Sequence, residues 1–306
     1  MCILRIAYSI FLVFMENKMT DSQPGQSVNP LKKYYRQPKQ FIRLPSDYKF
    51  YPEGSIEVPE SGEVAVYPMT AKDELLLKTP DALLNGEATV SVIQSCIPAI
   101  KNAWVMPSID CDAALMTIRM ATYGNDMTVP IKVPGTSIEK DLVLDLQESL
   151  NSILSSKYKD TFFYQNMEVK TKPLTYKEFT ESAIQTFEQQ RIQKIVDDTK
   201  MNDEEKIAQF QKTFQKLTNL SISMVANTVA SITVDGQTVT DVKQIKDFID
   251  NAGKDFFNSI MEHLEKNREA FQLNPQKITS SEEEVKAGAP AEYSIPVAFD
   301  SANFFV

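Results

Sequence analysis

Few side chains in this 306-residue chain are of a type that does chemistry, and their spacing suits little of it. The one histidine, His263, lies in "IMEHLEKN" on a predicted amphipathic helix. A general base needs a nucleophile or acid held against it; a lone His on such a helix reads instead as a structural residue. The cysteines, Cys2, Cys96 and Cys111, are odd in number and irregular in spacing. They form no disulfide framework and no CxxC pair, and with a single His they cannot assemble a zinc site of standard spacing. Cys96 and Cys111 read as buried apolar thiols, in a chain suited to a reducing compartment. Glu282, Glu283 and Glu284 stand beside Lys286 in a Gly/Ala/Pro segment and read as a solvated loop. None of the nine glycines falls in GxGxxG or GxxxxGK spacing. No GxSxG elbow and no calcium-loop pattern of alternating oxygen ligands occurs. The sequence therefore offers no catalytic, cofactor-binding or metal-binding residue, and a protein that works by binding rather than catalysis is expected.

Charge narrows the partners. Lys and Arg number 32 and Asp and Glu 41, for a net charge of −9. Such a chain has no global field for phosphate backbones or anionic lipid, so no nucleic-acid partner is expected. One local exception is "LKKYYRQPKQFIR", residues 31–43, which sets five Lys or Arg among Tyr34, Tyr35 and Phe41. Single-strand binding surfaces use such a mixture, but the acidic body argues against that use. The apolar run "CILRIAYSIFLVFM", residues 2–15, is shorter than the ~20 residues a membrane span needs. No small-x-small cleavage site follows it directly. It reads either as an extension ahead of a start near Met19, or as a targeting segment that docks an assembly factor on a membrane through residues 2–14. A membrane partner is not the expectation.

The elements that would position a binding surface are mixed. Residues 1–39 read as a flexible N-terminal segment, 40–160 as an α+β domain, and 161–306 as a helical domain with a terminal hairpin. "QFIRLPS" and "EVAVY" predict two short paired strands. Thr70 with Asp73 predicts a capping box over "AKDELLLK", Thr79-Pro80 a further helix start, and Asn85-Gly86 its end. A helix from Ala88 should kink or end at Pro98. Another, capped at Ser108 or Asp110, should stop at Gly124. "MTVPIKVPGTSIEKDLVLDL" predicts a hairpin turning at Pro134-Gly135-Thr136, followed by a short helix. Met167–Leu174 predicts a strand that leads into a Thr175/Glu178 capping box and a helix of about twenty residues. Asn202 and Glu205 should cap the next helix. "SITVDGQTV" predicts an Asp-Gly hairpin, then come two helices, and 276–300 a hairpin with a long acidic tip. The fold class is α+β, mainly helical with short β-hairpins. Helix, helix, hairpin occurs in that order twice, around 88–146 and 241–300, which suggests a weak internal duplication.

Partner-binding candidates are aromatic. Ile207, Phe210, Phe214, Leu217 and Met224 step by three, four, three and seven, a helix-packing stripe read as a core face. If the chain works by assembly, Phe210 and Phe214 on that helix are candidates to face a partner. The terminal "FDSANFFV" presents Phe304 and Phe305, either tucked into the core or offered to a partner.

The stretches "FYPEG", "VYPMTAKDE", "KTPDALLNG", "VIQSCIPAIKN" and "LMTIRMATYG", with "KPLTYKEFTESAIQTFEQQRI" and "IPVAFDSANFF", resemble the baseplate hub proteins of contractile-tailed phages related to the T-even group. The resemblance spans about residues 38–306. It implies a role in assembling the baseplate hub, similar to that of tail assembly chaperones, which hold the tape-measure protein before the tube forms. It also implies hub or tape-measure proteins as partners, the host cytoplasm as the place of assembly, the virion baseplate as a destination, and no enzymatic step. It leaves oligomeric state open. Several relatives carry paired Cys in the two hairpins in the manner of a zinc knuckle. Here those hairpins read "VPIKVPGTSIEKD" and "ITSSEEEVKAGAPAEYS", without Cys, and are expected to hold by side-chain packing alone.

Overall fold

The computed structural model describes residues 29–79, 86–181, 203–273 and 275–295. The chain divides into two units, 1–37 and 38–306. In the first, Pro30–Tyr34 forms a 3₁₀ turn whose start is capped by the Asn29 side chain accepting from Leu31 N. None of its residues is buried.

The second unit opens with β1 (Gln40–Ile42) and β2 (Val64–Val66), paired antiparallel with Phe41 opposite Ala65. Helix α1 (Ala71–Leu77) starts at the expected capping box, and Asp73 also accepts from Ser95 Oγ at 3.1 Å. A buried cap thus ties α1 to α2 (Glu87–Cys96). Gly86 takes φ +81° ahead of α2, a conformation open to Gly at little cost. Pro98 lies just beyond the end of α2, as its missing N–H requires. Helix α3 (Ser108–Tyr123) stops at Gly124, but Ser108 and Asp110 do not cap it. Asp110 turns inward instead: Oδ1 accepts from Ser46 N at 2.7 Å and Oδ2 from Ser46 Oγ at 2.5 Å. With β1, β2 and α4 (Leu146–Ser155), these helices enclose one core. Val64, Val66, Ile93, Cys96, Met116, Ile118 and Leu146 are fully buried there, and Cys111 nearly so.

A second core lies against a four-stranded antiparallel sheet in the order β5 (Thr161–Tyr164), β6 (Met167–Thr171), β7 (Val229–Val234), β8 (Gln237–Val239). β5 is absent from the sequence expectation because Gln165-Asn166 lacks a glycine to signal the turn. Gln165 itself takes φ +52°. Helix α5 (Asp203–Thr228) precedes β7, and α6 (Val242–Asn251) and α7 (Lys254–Ala270) follow β8. Val225, Ala226, Ile245, Ile249, Phe256 and Ile260 pack on Val169 and Ile232.

The expected hairpin forms as β3 (Asp126–Lys132) and β4 (Glu139–Asp145). Pro134 and Gly135 (φ +78°) occupy the centre of its turn, closed by Thr136 N donating to Val133 O at 3.2 Å. The last hairpin is β9 (Gln276–Thr279) with β10 (Glu292–Ile295), and the two hairpins pack on each other. Ile131, Val133, Ala289 and Tyr293 form their shared core, and Lys140 Nζ reaches Glu284 Oε1 at 2.6 Å. The acidic tip is not a solvated loop. Residues Glu282–Lys286 form α8, started by a Ser281/Glu284 capping box, with Glu284 buried. Capping and the Lys140 partner together satisfy a carboxylate that would otherwise be costly to bury. The repeated order of helix, helix, hairpin holds: α2, α3, β3–β4, and again α6, α7, β9–β10.

Candidate partner-binding surface

The apolar stripe of α5 divides along its length. At 26 residues the helix runs about 39 Å. β7, the strand it joins, has six residues and spans about 20 Å. Only the last turns of α5 therefore reach the sheet. There the buried positions are Val225 and Ala226, with Ile222 against them. The Thr228 hydroxyl, which donates to Val225 O at 2.7 Å, closes the end. Leu217 and Met224 are half-buried. Ile207, Phe210 and Phe214 are 57%, 41% and 58% exposed. The core-face expectation thus fails for Ile207, Phe210 and Phe214: an identical periodicity serves a core where the sheet lies beneath it and leaves these three side chains at the surface beyond the sheet's reach.

Phe210 and Phe214 are four residues apart and stack with centroids 6.1 Å apart and planes 11° off parallel. The pair forms a continuous apolar ridge with Ile207, one turn earlier on the same face. Three large side chains exposed together on one helix are a surface whose burial would be favourable. Phe304 and Phe305 lie outside the described residues, as do Cys2, residues 2–14, the Thr79-Pro80 helix start beyond Thr79, Asn202 and most of the helix expected after Glu178. The Thr175/Glu178 capping box itself is formed, Thr175 N donating to Glu178 Oε2 at 2.9 Å and Glu178 N to Thr175 Oγ1 at 3.2 Å.

The chemistry-bearing residues are used as joints. His263 Nε2 lies 3.1 Å from Thr171 Oγ1 and 3.2 Å from Asn267 Nδ2, and its ring packs on Phe162 at 4.7 Å. Burial lowers its pKa, which favours the neutral ring. Asn267 in turn donates to Lys159 O and accepts from Lys159 N, so the cluster pins α7 to the segment before β5. Cys96 and Cys111 form no disulfide and are buried in the first core, as expected. Burial also pushes the Asp110 carboxyl up to about 7, against the Ser46 hydrogen bonds that favour its ionised form. Sequence reasoning assigned Asp110 to a helix cap because its position in the first turn suits one. Its partner Ser46 is 64 residues away and gave no local signal.

Near Ser46, a cleft of about 500 Å³ is lined by Arg43, Asp47, Lys49, Phe50, Lys157 and Tyr158 among others. Arg43 and Asp47 pair with each other at 2.5 Å, which fixes the turn rather than opening a reactive group to a substrate. Among the described residues no group of three or more His, Cys, Asp or Glu could hold a metal ion. Among the same residues no helix is long and apolar enough to cross a membrane.

Comparison with known proteins bears on what such a surface serves. A family model described as T4 bacteriophage base plate protein matches residues 51–278, most of the chain. No curated protein and no solved structure gives a match.

Proposed function

The chain belongs to the T4 bacteriophage base plate protein family, and from that premise we propose that it acts non-enzymatically in building the baseplate hub. Its partners are other baseplate components. Within that role it is either a hub subunit or a chaperone of the tape-measure or hub precursor, acting in the host cytoplasm during assembly. The observation that supports binding is the exposed ridge of Ile207, Phe210 and Phe214 on α5. Its helical spacing suits the apolar face of another chain laid along it. The net charge of −9 suits a protein that keeps such a ridge in solution before its partner arrives.

Quantitative mass spectrometry of purified virions, beside an affinity pull-down from infected cells, tests this reading. A small fixed copy number in virions marks a hub subunit. Absence from virions with capture of the tape-measure or a hub protein marks a chaperone. Replacing Phe210 and Phe214 together by Asp should cut capture at least tenfold, since burying each Phe contributes about 1.5–3 kcal/mol. The thermal midpoint should hold, because neither ring is in the core. Capture by the double variant at wild-type strength would remove the ridge from the interface.

A further inference from the structure

We infer that the chain self-associates, the basic arm of one copy seating on the acidic outer face of the β3–β4 hairpin of a second copy. The arm is residues 29–39. It carries Lys32, Lys33, Arg36 and Lys39 and no acidic residue. Its four positive charges, set against −9 for the whole chain, leave −13 on the rest. Charge of this chain is therefore segregated by segment, and a second copy offers the arm a surface of opposite sign. The arm is also apolar: Leu31, Tyr34 and Tyr35 are 60%, 75% and 58% exposed, and Lys33 Nζ stands 4.9 Å over the Tyr34 ring. Basic heads alternating with exposed rings suit a face that mixes carboxylates with an apolar seat.

The hairpin provides such a face. Alternation along the strands turns Ile131 and Leu144 inward and leaves Asp126, Thr128, Pro130 and Lys132 of β3, with Glu139, Asp141, Val143 and Asp145 of β4, on the outside. Four carboxylates thus share one ribbon with a single Lys. Asp126 lies directly opposite Asp145, a like-charge pairing that costs stability in an antiparallel ladder. Asp145 also caps α4, accepting from Gln147 N and Glu148 N. Among the described residues no ion pair holds any of the four acids. Val143, 61% exposed and opposite Thr128, supplies the apolar seat. Cations from a neighbouring arm would relieve the Asp126–Asp145 repulsion. Because arm and ribbon are different surfaces, the contact closes either reciprocally, as a two-fold dimer, or head-to-tail, as a ring or filament.

Sedimentation of the full chain over about 1–100 μM tests this, at about 0.05 M and about 0.5 M NaCl, where the Debye length falls from about 14 to 4 Å. Association should appear at low salt and weaken at least tenfold at high salt. Reversing the arm with Lys32→Glu, Lys33→Glu and Arg36→Glu should abolish it, as should reversing the ribbon with Glu139→Lys and Asp141→Lys. An equimolar mixture of the two variants offers both matched pairings, wild-type arm on wild-type ribbon and reversed arm on reversed ribbon, and should regain association, as should both sets in one chain. Lys32, Lys33, Glu139 and Asp141 are exposed and Arg36 is half-buried, and circular dichroism should confirm an unchanged fold. A monomer at 100 μM in low salt, association indifferent to the arm, or failure of the combined variant to recover would overturn the proposal. So would binding of a 20-residue oligothymidine lost on arm reversal in a chain that stays monomeric, which would assign the arm to nucleic acid. The ridge on α5 is untouched by any of these substitutions, so the two readings fail separately.

Discussion

Where the two hairpins cross, an added methyl group should act as a wedge. Gly135 and Gly236 are both turn glycines with φ +78°. Replacing either by Ala places a side chain in the left-handed region at a cost of about 1–2 kcal/mol. Each substitution also restricts the unfolded chain, an offset of about 0.4–1 kcal/mol. These contributions are common to both sites. The surroundings differ. A Cβ on Gly236 meets nothing within 4 Å, whereas one on Gly135 falls 2.7 Å from Gly288 O and 3.5 Å from Gly288 C. Carbon–oxygen contacts settle at about 3.3–3.6 Å, so the backbones must part by roughly 0.6 Å or more. Both sides of the contact are main chain, so no side chain can swing away. Separation loosens the small core of Ile131, Val133, Ala289 and Tyr293 and stretches Lys140 from Glu284. Strained packing of this kind costs about 1–3 kcal/mol. Gly135→Ala should therefore destabilise the hairpin pair by about 1–3 kcal/mol more than Gly236→Ala. Hydrogen exchange read at the amides of 131–142 and 276–295 measures it locally, and urea denaturation followed by circular dichroism measures it globally. Equal losses in the two variants, or faster exchange confined to the β7–β8 hairpin, would refute the close approach as an element of stability.

Two further outcomes follow from buried groups. The Asp110 carboxyl has a folded pKa of about 7, above the usual carboxylate range, so the folded state holds a proton that the unfolded state has lost. Its contribution is fully present below about pH 4 and is lost as pH rises toward 7, with a slope of up to ~1.4 kcal/mol per pH unit. Denaturation midpoints measured from pH 4 to 8 should fall accordingly, and Asp110→Asn should flatten that part of the profile; an unchanged profile in the variant would show that Asp110 is not the titrating group. Phe256 is 2% exposed, with Tyr164 and Phe248 edge-on to its ring at 5.1 and 4.9 Å. Phe256→Ala should cost about 3–5 kcal/mol and shift the thermal midpoint, while Phe210→Ala, on the exposed ridge, should shift it little.

Much of the fold is determined by local pattern. Thr70 with Asp73 and Thr175 with Glu178 mark helix starts because a short hydroxyl and a carboxylate three residues on satisfy each other's backbone N–H. Pro134-Gly135 and Asp235-Gly236 mark hairpin turns because each residue pair fits a φ/ψ combination that few others adopt. The family resemblance, too, is carried by strings of residues and needs no coordinates. Contacts between distant segments are another matter. Ser46 finding Asp110, β6 pairing with β7 across the whole of α5, Lys140 reaching Glu284 and the Gly135–Gly288 crossing all join residues far apart in the chain. No local periodicity encodes such pairings. The stripe on α5 shows the division most clearly. Its spacing fixes which side chains share a face, but whether that face meets a core or the solvent depends on how far the neighbouring sheet extends, and only the tertiary structure decides that.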